Sequence, residues 1–70
     1  MKGHIPKLIE EIELVRYEPL SVRVVDEIVS KSEYYDDDVV VEALCYVIAG
    51  TKNEAVGSHA ISVIDKVKNR

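Results

Sequence analysis

The chain has one cysteine, two prolines and three glycines, and neither tryptophan nor phenylalanine, in 70 residues. With Cys45 alone, no intramolecular disulfide can form, which excludes a secreted disulfide framework and reads as a cytoplasmic protein. Glutamine is absent and Met1 is the only methionine, whereas valine, isoleucine, glutamate and lysine are frequent, a composition that fits a heat-adapted source. No apolar run approaches the roughly 18–20 residues of a membrane span, and the first residues lack the apolar stretch of a signal peptide, so an intracellular chain without a membrane partner is expected. Basic residues are in deficit, 9 against 13 acidic, for a net charge of −4, which argues against direct nucleic-acid binding. Glycine-rich phosphate loops are missing. His4, Cys45 and His59 are scattered rather than paired at zinc-ligand spacings, so neither a metal nor a cofactor is expected.

What is present is helical periodicity in a single domain spanning residues 1–70. Ile5, Leu8, Ile9, Ile12 and Val15 recur on one face of a first helix, with Lys7, Glu10, Glu11 and Arg16 opposite. Pro6 suits its first position, and Pro19 stops it and opens a second helix. In that helix Val22, Val25 and Val29 form one apolar row and Leu20, Val24 and Ile28 another, a surface broad enough for two neighbours. A polar linker, Ser32 to Asp38, precedes an apolar segment from Val39 to Ala49 broken only by Glu42, which reads as a central buried helix. Gly50 is placed to end it, Asn53 to cap the next, and Val56, His59, Ala60, Val63, Ile64 and Val67 recur along a fourth helix ending in Lys66, Lys68 and Arg70. Gly57 inside that helix reads equally as close approach of another helix or as a glycine simply tolerated there. The expected fold is all-α: four helices as two antiparallel hairpins, stacked or in a small bundle. The valine-rich runs leave an α/β alternative with strands near 21–25 and 39–48.

Asn53-Glu54-Ala55-Val56, followed by Ala60 and Ile64 after an apolar helix and a tight polar turn, resembles the HEAT-type helical repeat. The earlier hairpin is similar in a looser way, with Glu18-Pro19 at the turn, then Val22-Arg23, Val25 and Val29, a period of about 35 residues. Gly57 and Asp26 depart from the pattern. The resemblance implies stacked helices, in a right-handed arrangement, that bind other proteins.

A chain this small removes only roughly 60% of its unfolded surface from water on folding and needs reinforcement. With disulfides and metals excluded, association remains, most simply as a homodimer. Tyr17, Tyr34, Tyr35 and Tyr46 are the aromatic residues, and tyrosine favours interfaces because it buries a ring while keeping its hydroxyl wet. Tyr34, Tyr35, Leu20 and Val24 are the candidate interface residues.

For the residues with chemistry, bland roles predominate. Asp36, Asp37 and Asp38 lack the ligand spacing of a calcium loop and suit a helix start. His59 has no carboxylate partner in sequence and is expected to pack, while Cys45, inside an apolar helix, is expected to be buried and inert. No catalytic residue is assigned. The expected function is a small non-catalytic protein-interaction module that self-associates through an apolar helix face. Two alternatives stand beside it: a metal-dependent enzyme subunit with a site formed between chains by Asp36 to Asp38, His59 and Cys45, and an accessory subunit of a nucleic-acid-processing complex.

Overall fold

The computed structural model describes residues 5–18 and 20–69. Four α-helices follow in order: α1 (Lys7–Glu10), α2 (Val22–Lys31), α3 (Asp37–Gly50) and α4 (Glu54–Lys68), with 3-10 turns at Glu13–Arg16 and Ser32–Tyr34. No strand occurs among the described residues. Residues 21–25, where β-branched alternation allowed a strand, form the cap and first turn of α2, and residues 39–48 lie wholly within α3. Burial of Val40, Ala43, Leu44 and Val47 at helical spacing offsets the χ1 entropy that the valines lose.

α1 is shorter than its periodicity predicts. Pro6 caps it, and Ile12 adopts an extended backbone (φ −97°, ψ 104°) that breaks the helix before the chain resumes as a 3-10 turn. The physical reason is local: Glu10, Glu11 and Glu13 crowd the end where the helix dipole is negative, and a helix this short gains little from propagation. The break still buries Leu8, Ile9 and Ile12 together.

The expected opening of α2 at Pro19 lies outside the described residues. Ser21 is the N-cap, its Oγ accepting from the Val24 N–H at 3.3 Å. Just before it, Leu20 takes a left-handed φ of 57°, a conformation that costs an L-residue about 1 kcal/mol or more. Glu18 ties the turn together: its carboxylate accepts from the Ser21 hydroxyl at 3.3 Å and from Arg23 at 2.6 Å.

α3 is the central element, packing most extensively on α4 and also on α1 and α2, while α2 lies against α4 as well. The α3–α4 connection is short. Thr51 Oγ1 accepts from the Asn53 N–H at 3.1 Å, and Asn53 Oδ1 accepts from the Ala55 N–H at 2.8 Å, the expected cap. Leu8, Ile28, Leu44, Val24, Val25, Val40 and Val47 are the largest fully buried side chains, and among the described residues no polar or charged side chain joins them.

The glycines carry a correction. Gly50 is the last residue of α3 and its φ is not positive, so it does not end the helix by left-handed freedom. A Cβ on it would meet Leu20 Cδ1 at 2.6 Å, which makes it the place of close approach. Gly57, where close approach was one of the two readings, has only the Thr51 methyl at 3.9 Å, an ordinary contact.

Candidate functional site

The three aspartates occupy the start of α3. Asp36 is the N-cap but its side chain makes no capping hydrogen bond; Asp37 and Asp38 fill the first turn, where carboxylates favour the positive end of the helix dipole. Asp37 and Asp38 also line a shallow depression with Val41, Glu42, Val67 and Lys68, between the start of α3 and the end of α4.

His59, half-buried on α4, has the carboxylate partner that its sequence neighbourhood lacks: its Nε2 lies 2.9 Å from Asp26 Oδ1 on α2. The two are 33 positions apart, and only packing of α2 on α4 joins them. The signal in the sequence was Asp26 itself, out of place at a position that the repeat pattern fills with a small apolar residue. The pair sits in a groove between the two helices lined also by Val29, Ser32, Val63, Lys66 and Val67.

Cys45 is exposed rather than buried, a correction to its expected place in the core. It stands on the side of α3 away from Val40 and Val47, because an apolar segment of this length must turn some residues outward when only part of the helix is covered. His59 pairs with Asp26, and Asp36 to Asp38 lie at the far end of α3 from the connection to α4, so the chain does not itself bring together the residues of the enzymatic alternative. Among the described residues no group of three or more His, Cys, Asp and Glu side chains is placed to hold a metal ion. His4 lies outside the described residues.

The interface candidates separate. Tyr34 is 76% exposed. Tyr35 is half-buried against the core and donates its hydroxyl hydrogen bond to the Glu11 carboxylate, tying the linker to the end of α1. Its pKa is raised above the ordinary 10.0, first by that hydrogen bond, then by desolvation and by the nearby negative charge of Glu11. Leu20 is half-buried against Gly50, whereas Val24 is wholly buried in the chain's own core and so is not open to a partner. Tyr46 packs beside Ile9, Ile12 and Val15.

Some large apolar side chains on the helices stay outside the core: Val22 and Val29 on α2 belong to a periodic apolar row, whereas Ile61, 57% exposed, falls outside the row that periodicity marks on α4. Spacing sets Val41, Cys45 and Ile48 along one side of α3, and Ile61, Ile64 and Lys68 along one side of α4. Two contacts orient these rows. Tyr46, on the opposite flank of α3, meets α1, and His59 and Val63, on the opposite flank of α4, meet α2. Val41 lines one depression with Val67 and Lys68, and Val41, Ile48 and Ile64 pack partly against the core, which leaves Cys45 and Ile61 as the exposed members of the two rows.

Comparison with protein-family models, with curated proteins and with solved structures finds no match to this chain.

Proposed function

We propose that this chain is a small non-catalytic protein-interaction module that self-associates through an exposed apolar helix face. The observation that carries the reading is Ile61, a large aliphatic side chain 57% exposed on α4, in a domain whose core is built mostly from valine and isoleucine. Burying a large aliphatic side chain of this exposure against a partner's surface removes apolar area from water, which is favourable. The net charge of −4 favours a protein partner over a phosphate backbone, and among the described residues no helix is long and apolar enough to cross a membrane. The HEAT-type resemblance agrees with this reading, since such repeats act by stacking helices on other proteins.

The test is molar mass by light scattering over a wide concentration range, together with mass spectrometry of whatever co-purifies from the source cell. A defined oligomer, or a partner at fixed stoichiometry, is expected. A monomer at every concentration with no reproducible partner would overturn the reading.

A further inference from the structure

We draw no further inference here: the strongest candidate, the groove between α2 and α4 where His59 and Asp26 pair beside Val29, Val63 and Lys66, carries nothing, because the two polar groups satisfy each other at open positions and nothing in the structure shows what covers its apolar walls.

Discussion

Leu20 is held with a left-handed backbone and its Cδ1 lies 2.6 Å from where a Cβ on Gly50 would stand, so the entry of α2 and the end of α3 are fitted to one another. Gly50→Ala should therefore cost less than about 1 kcal/mol, because the methyl meets only the far end of the half-exposed Leu20 side chain, which must rotate aside and so offsets the helix-propensity gain. Leu20→Ala in the same chain should remove most of the penalty specific to Gly50→Ala. Thermal or urea unfolding of the four variants of this double-mutant cycle measures the coupling, and additive effects would contradict the fit.

Gly57→Ala should act in the opposite direction. Its nearest neighbour is the Thr51 methyl at 3.9 Å, so the substitution gains helix propensity of up to about 1 kcal/mol without a clash. A rise in urea midpoint at unchanged m-value is expected, and a fall would mean that a neighbour crowds α4 at Gly57 after all.

The Tyr35 hydroxyl and the Glu11 carboxylate link the linker before α3 to the end of α1. Because the folded-state pKa of Tyr35 is raised, the link contributes its stability fully below the unfolded value of 10.0 and loses it as pH rises through the folded value. Unfolding temperature followed from pH 8 upward should therefore fall more steeply above about pH 10 in the native chain than in Tyr35→Phe, which has no ionisable hydroxyl at that position. Equal slopes would show that the link adds nothing.

Neighbouring positions on α3 should respond unequally to truncation. Leu44 is fully buried, and Leu44→Ala should cost about 3 kcal/mol, enough to leave a chain of this size largely unfolded when warmed. Cys45 is exposed, and Cys45→Ser should change monomer stability by less than about 0.5 kcal/mol. Reaction of Cys45 with a chromogenic disulfide reagent under native conditions checks its place, and a thiol that reacts only on unfolding would contradict it.

His59→Gln should cost less than about 1 kcal/mol, since the side chain of His59 is 38% exposed and that of its partner Asp26 is 64% exposed, and ion pairs so open to water are weak. A larger loss in chemical denaturation would mark the pair as a structural anchor between α2 and α4.

Much of this architecture was legible in one dimension. Periodicity sets the apolar faces of α2 and α4, Asn53 marks the start of α4, and the length of apolar chain from Val39 to Ala49 favours a central helix over the strand alternative. Those features depend on residues within a few turns of one another, and so the sequence alone determined them. The tertiary structure decided what distant segments do to each other. Periodicity cannot say which helix meets which flank, and so it could not foresee that Val24 would be enclosed, that Cys45 would face outward, or that Asp26 would reach His59. The two informative glycines show the same division. Both read as small residues inside or at the end of a helix, yet only Gly50 meets a neighbour, because Leu20 is brought to it by a turn 30 residues earlier in the chain.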